Sequence, residues 1–215
     1  MCRMLIDKPI IMLMKKKMMM MAIALMAAMS SNAQNEEGQF TLMPKAGLNL
    51  VTLTGDPDEK FRATYVVGFE AEYGISDNVG LVAGIQYSDQ GSREEYNGIT
   101  NKLKFGYINV PLMVQYYPVK GLALKTGAQL GFITSKKAVY DGMKIDFDKL
   151  YDITGMPSDF RHFDIAIPMG ISYEYANFVI DARYNLGLIG VFKNESKYRN
   201  SVFQFTLGYK LPMGN

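Results

Sequence analysis

From residue 39 to residue 211 the side chains alternate in polarity with a period of two, and little of the chain shows the 3.6-residue period of a helix. In residues 178–189, Phe178, Ile180, Ala182, Tyr184, Leu186 and Leu188 alternate with Val179, Asp181, Arg183, Asn185, Gly187 and Ile189. Successive side chains of a strand point to opposite faces, so this segment is a strand with one apolar face and one mostly polar or small face. The pattern occurs eight times, over about 39–52, 64–75, 78–88, 102–117, 122–134, 162–175, 178–189 and 201–211. The fold class is all-β.

The fourth segment breaks phase. Leu103, Phe105 and Tyr107 are odd-numbered, while Ile108, Val110, Leu112, Val114 and Tyr116 are even. A one-residue bulge near Tyr107–Ile108 would return all of them to one face. Pro44, Pro111 and Pro168 lack a ladder donor and predict local distortion.

Connection lengths set the topology. Ser76–Asn78, Pro118–Gly121 and Ala176–Asn177 are short, while about 53–63, 89–101, 135–161 and 190–200 are long. Short and long connections alternate along an even number of strands. That is the arrangement of an eight-stranded antiparallel up-and-down transmembrane β-barrel, with the short turns and both termini on one side.

Alternation alone does not say which face touches lipid. A soluble, lipocalin-like carrier would turn its apolar face inward. Two features favour apolar-outward packing. The polar face carries many glycines together with Lys45, Glu70, Glu72, Lys125, Asp164, Glu174, Asp181, Arg183 and Lys210. Small residues and charges of both signs interdigitate in the narrow interior of eight strands, so these nine are expected to form a lumenal ion-pair network. The aromatics of the apolar face also gather at strand ends. Phe40, Tyr73, Tyr116, Tyr173, Tyr175, Phe178 and Tyr209 lie towards the short turns. Tyr65, Tyr87, Phe105, Tyr107, Phe132, Phe163 and Phe203 lie towards the long loops, and the two sets read as interfacial girdles.

The N-terminus reads as an address. Lys15–Lys17 form a basic region, Met18–Met29 an apolar run of 12, and Ser31 and Ala33 suit the small positions of a cleavage site before Gln34. Residues 1–33 are expected to be a secretory signal peptide, with Met14 a better start than Met1, and 34–215 the barrel domain. Twelve helical residues span about 18 Å, too short for a bilayer core. The signal carries five of the 23 Lys/Arg and one of the 21 Asp/Glu, leaving a domain of net charge −2. That charge gives no reason to expect nucleic acid as a partner.

Several motifs follow one another in an order that resembles the PorT-type outer-membrane β-barrel family of Bacteroidetes. They are NAQ at Asn32–Gln34, GLNL at Gly47–Leu50, YSDQG at Tyr87–Gly91, YINVPL at Tyr107–Leu112, KTGAQLGF at Lys125–Phe132, DARYNLGL at Asp181–Leu188 and GYKL at Gly208–Leu211. The resemblance implies location in the outer membrane, insertion by the barrel-assembly machinery, and surroundings of outer-membrane lipid and lipopolysaccharide. It implies no single biochemical activity.

Residues that carry chemistry are sparse. The single cysteine, Cys2, excludes an internal disulfide, and a single histidine excludes a histidine metal cluster. His162, with Ser158, Asp159 and Asp164 nearby in sequence, offers the residue types of a lipid-modifying hydrolase or acyltransferase, but residue types without geometry favour a rim histidine in a polar cluster. Asp141, Asp146, Asp148 and Asp152 lack EF-hand spacing and read as a solvated acidic loop. Gly127 and Gly131 precede no helix and are not a phosphate loop. Lys136–Lys137 is too short for nucleic acid and suits lipopolysaccharide phosphates. The expected role is non-enzymatic and without cofactor or metal. The barrel is expected to be a plugged mount for surface recognition or adhesion by the long loops that carry Tyr96, Tyr140, Tyr151, Phe160 and Tyr198, with a larger envelope complex as one partner.

Overall fold

A computed structural model describes residues 37–54, 60–96, 99–140, 143–147, 160–193 and 197–213. Residues 1–33, expected from the sequence to be a signal peptide, lie outside these residues. The strands are β1 (Phe40–Leu53), β2 (Arg62–Ser76), β3 (Val79–Gln90), β4 (Arg93–Tyr96), β5 (Ile99–Val119), β6 (Leu122–Tyr140), β7 (Met143–Asp146), β8 (Phe163–Tyr175), β9 (Phe178–Gly190), β10 (Arg199–Tyr209) and β11 (Leu211–Met213). Eight of them close a wall in the order β1-β2-β3-β5-β6-β8-β9-β10, and β10 returns to β1. Every pairing is antiparallel.

The two faces of the wall are inverted relative to a soluble barrel. Leu48 is 62% exposed and Ile180 65%, whereas Lys45 is 3% exposed, Glu70 1% and Arg183 3%. An apolar-inward carrier is thereby excluded. The narrow interior also explains the inward glycines. A Cβ on Gly47 would fall on the Phe205 carbonyl, and one on Gly127 on the Leu112 carbonyl. The wall bends so sharply there that only a hydrogen atom fits.

The prolines interrupt the ladder without shifting it. Pro44 pairs with Phe69 of β2, but pairing with β10 and β11 lapses between Lys45↔Gly208 and Leu42↔Leu211. That gap separates β11 from β10 at Lys210. Pro111 pairs with Gln129, while pairing with β3 lapses between Leu112 and Asn109. Pro168 pairs with Asn185, while pairing with β6 lapses between Met169 and Ala166. Each proline thus breaks its ladder on one side only, and the register is the same beyond the gap.

Three sequence expectations are corrected. The bulge lies on β6, not at Tyr107–Ile108. Gly106 faces Ser135 and Tyr107 faces Ile133, which leaves Thr134 as the extra residue. β5 itself keeps phase along β3, so Phe105 (0% exposed) and Tyr107 (1%) point inward and leave the outer girdle. They join Leu53, Phe160 and Val191 in a cluster that also packs Leu103, Ile133, Phe147 and Phe192. Phe160 is therefore part of this cap and is not free for surface recognition.

The second correction concerns the long connections. Two of them are partly folded, since β4 pairs with the start of β5 and β7 with the end of β6. Both are hairpins that prolong the wall beyond the membrane band. The third correction concerns Lys136–Lys137: the phase change at Thr134 buries Lys136 and leaves Lys137 outside, so the two lysines do not act as one exposed pair.

The other girdle residues lie on the outer face. Phe178 and Tyr209 meet edge to face at 5.0 Å near the short turns, and Phe132–Phe163 at 5.4 Å and Tyr65–Tyr87 at 5.9 Å lie near the long loops. Phe61, 54% exposed, adds to the second belt.

Phe205 sits midway up β10 on the lipid side, 51% exposed. Phe205→Arg is expected to destabilise the bilayer-inserted protein by about 2–4 kcal/mol in reversible urea unfolding. An unchanged unfolding midpoint would contradict lipid contact at that position.

Candidate functional site

The lumen is where the polar residues converge, and it is built in layers. Inward positions two residues apart on each strand stack along the barrel axis. Five of the nine charged residues read from the sequence form the lower-middle layer. Glu70 of β2 lies 2.5 Å from Lys45 Nζ and 2.9 Å from Arg183 Nη1. Asp181 lies 2.9 Å from Lys125 Nζ and 3.2 Å from Arg183 Nη2. Arg183 therefore joins two carboxylates, and each carboxylate holds a lysine as well. Isolated buried charges would be very costly, and here every one has an opposite charge within ion-pair distance.

Three more charges form a second cluster nearer the short turns. Lys210 Nζ is 2.8 Å from Glu72 and 2.5 Å from Glu174. Tyr117 completes it. Its hydroxyl donates to Glu72 at 2.7 Å and accepts from Gln115 at 2.8 Å and Lys210 at 3.0 Å. The cavity lined by Glu70, Glu72, Tyr117, Lys125 and Lys210 amounts to about 10 Å³, roughly the room of one water.

The ninth charge, Asp164, stands apart. Among the described residues its side chain accepts from Asn200 Nδ2 at 2.8 Å, and the same amide donates to Tyr107 at 3.0 Å. Between Asp164 and the charged layers lies an amide layer. Gln86 donates to Gln129 at 3.2 Å and to Gln204 at 3.3 Å, Asn185 donates to Gln204 at 3.4 Å, and Asn49 donates to Ser88 at 3.2 Å. Above everything sits the aromatic cap, where Phe160 lies 5.2 Å from each of Phe105, Phe147 and Phe192.

Sequence reading singled out charges and missed the amides and Tyr117. The amides occupy polar-face positions of the same alternation, so their inward orientation was available from it. Tyr117 stands next to Tyr116 of the girdle, and only strand phase separates the two. A further pair was also missed near the long loops, where Arg62 donates to both oxygens of Asp89 at 2.8 and 3.0 Å.

The other candidates are less organised. His162 is exposed, and its carbonyl accepts from Ile133 N–H at 2.9 Å. Ser158 and Asp159 lie outside the described residues, as do Asp141, Asp148 and Asp152. Among the described residues no group of three His, Cys, Asp or Glu side chains is placed to hold a metal ion.

Removing one partner of a buried charge cluster strands the others. Arg183→Met is expected to cost about 3–5 kcal/mol of unfolding free energy. Asp164→Asn, which keeps its shape and stands outside the ion pairs, is expected to cost less than half as much. Equal losses would contradict the separation of Asp164 from the network.

Comparison with known proteins places this geometry. A family model described as outer membrane protein beta-barrel domain matches residues 32–193, more than half of the chain. No curated protein sequence matches the chain. Among solved structures, Neisserial surface protein A is 13% identical, with TM-score 0.51 over 80% of this chain and 97% of that one. The attachment invasion locus protein of Yersinia pestis is 15% identical, with TM-score 0.47 over 81% of this chain and 99% of that one. E. coli outer membrane protein W is also 15% identical, with TM-score 0.39 over 82% and 100%. Closed antiparallel wall, lipid-facing apolar belt and family match agree: the chain belongs to the outer membrane protein beta-barrel domain family and resides in the outer membrane.

Proposed function

We propose that this protein is a non-enzymatic barrel of the PorT type in Bacteroidetes, exported by the signal peptide at residues 1–33 and inserted by the barrel-assembly machinery. Its role is to hold extracellular hairpins and loops at a fixed height and orientation for surface recognition or adhesion, with an envelope protein complex as one partner. The observation that carries this reading is the filled lumen. Two ion-pair clusters, an amide layer and an aromatic cap succeed one another along the axis, and among the described residues they fill the interior against solutes. A pore function has nothing to act through, and the parts left to interact are those outside the membrane.

The geometry offers little to an enzyme. Asp164, the acid nearest His162 in the described sequence, is buried and bonded to Asn200, while His162 is exposed. A hydrolytic set needs a base oriented by its acid partner.

Reconstituted in planar bilayers, the protein is expected to show no discrete conductance steps. Reproducible single-channel steps would overturn the plugged reading. Cells carrying a barrel whose β4–β5 and β6–β7 hairpins are replaced by short turns are expected to keep the folded barrel and lose adherence or autoaggregation. Unchanged adherence and autoaggregation would remove the recognition role.

A further inference from the structure

Eight of the nine lumenal charges read from the sequence meet an opposite charge in the two lower clusters. Asp164 is the exception. It is 8% exposed, and the donors that reach its carboxylate are the Asn200 amide at 2.8 Å and the N–H of Ile165. Both donors are neutral. An ionised carboxylate held inside a closed barrel is costly unless a positive charge stands beside it.

The polar atoms around Asp164 are short of partners too. Asp164 Oδ1, Asn200 Oδ1 and Asn109 Nδ2 are all buried, and none has a hydrogen-bond partner. Asn109 is 2% exposed and Asn200 3%. Buried polar atoms without partners are rare in folded chains, and these belong to neighbouring residues. Asn109, Gly131 and Asp164 are consecutive in one cross-strand row over β5, β6 and β8. Asn200 reaches in from β10, where its amide nitrogen donates to both Asp164 and the Tyr107 hydroxyl.

Gly131 sets the space between them. A Cβ on it would stand 3.0 Å from Asn109 Oδ1, 3.2 Å from the Tyr107 ring and 3.4 Å from Asp164 Cβ. That is tight for carbon. A hard cation sits closer to its oxygens, at about 2.3–2.6 Å, so the place suits an ion better than a methyl group. The Asn109 amide nitrogen bonds nothing, so no partner holds the amide against turning its oxygen inward. Asp164, Asn109, Asn200 and the Tyr107 hydroxyl then supply oxygens around one place, with a single negative charge among them.

Charge and size decide between cations. Calcium takes about 6–8 oxygens, commonly with several carboxylates among them. One carboxylate would leave a divalent ion with net positive charge in a dry interior. A monovalent ion makes the site neutral, and the tight space favours a small one. We infer that Tyr107, Asn109, Asp164 and Asn200 form an oxygen cage for one sodium ion beneath the aromatic cap, joining β5, β8 and β10 at the outer mouth of the lumen.

The test folds the full barrel into zwitterionic micelles in sodium chloride or in N-methylglucamine chloride at equal ionic strength, so that general screening cancels. Thermal unfolding, followed by heat-modifiable migration, is expected to have a midpoint about 3 °C or more higher in sodium. Asp164→Asn, which removes the charge, is expected to unfold at the same temperature in both salts. Asn109→Leu, which keeps the charge, is expected to lose at least half of the difference. Glu174→Gln, in the lower cluster, is expected to keep all of it. Each variant is compared with itself in the two salts, so a general loss of stability does not hide the result. The proposal is overturned if wild type unfolds at one temperature in both salts, which would mean that water alone fills the place. It is also overturned if Asp164→Asn or Asn109→Leu keeps the wild-type difference, if Glu174→Gln loses it, or if potassium or calcium gives a larger shift than sodium.

Discussion

A hydrocarbon core has no water to satisfy a peptide N–H or C=O, so a sheet that crosses it must have no free edge. The return of β10 to β1, from Lys45↔Gly208 to Leu53↔Asn200, meets that requirement. Much of the remaining architecture follows. Closure of eight strands fixes a narrow interior, and the narrowness demands inward glycines where the wall bends. The same closure explains how three prolines are tolerated. Each leaves its gap on one side of its strand while the other side stays paired, so the circuit never opens.

Inversion of the faces is the second consequence. Lipid takes the apolar side chains, and everything polar must find its partner inside. The lumen meets this by sorting groups according to depth. Ion pairs occupy the lower half, amides the middle, and aromatic side chains the outer mouth, where the wall leaves the membrane. Arg183 of β9, shared by Glu70 and Asp181, ties β9 to β2 across the interior. Tyr117 does the same for Glu72 and Lys210. Such a filling links strands on opposite sides of the barrel.

The period-two alternation made the eight wall strands, their order and their lipid face legible without coordinates, because one polarity rule acts along the whole membrane band. It lost force at the outer rim. Phe105 and Tyr107 illustrate why. At that height an aromatic ring is equally suited to an interfacial girdle or to a cap over the lumen, and hydropathy does not tell these apart. What decides is the unbroken register of β5 against β3, a long-range property. The bulge was sensed from the phase of β5 but lies on its neighbour at Thr134, since a phase conflict between two strands is relieved equally well on either. The hairpins formed by β4 and β7 were hidden because short, charged strands above the membrane carry no apolar stripe. Within the lumen, charge type identified the members of the clusters. It gave no pairing, so the isolation of Asp164 and the hub role of Arg183 emerged only from geometry.

The direct measurement of this inverted packing is a collision-accessibility scan. The only native cysteine, Cys2, lies in the N-terminal segment, so single spin-labelled cysteines can be placed in turn from Phe203 to Gly208 of β10 in a Cys2→Ser background. In bilayers, oxygen accessibility is expected to peak at Phe203, Phe205 and Leu207 and to fall at Gln204, Thr206 and Gly208, with a polar nickel reagent reaching neither set. Nickel access at Phe203, Phe205 and Leu207 with oxygen maxima at the even positions would contradict a barrel that turns its apolar face to lipid.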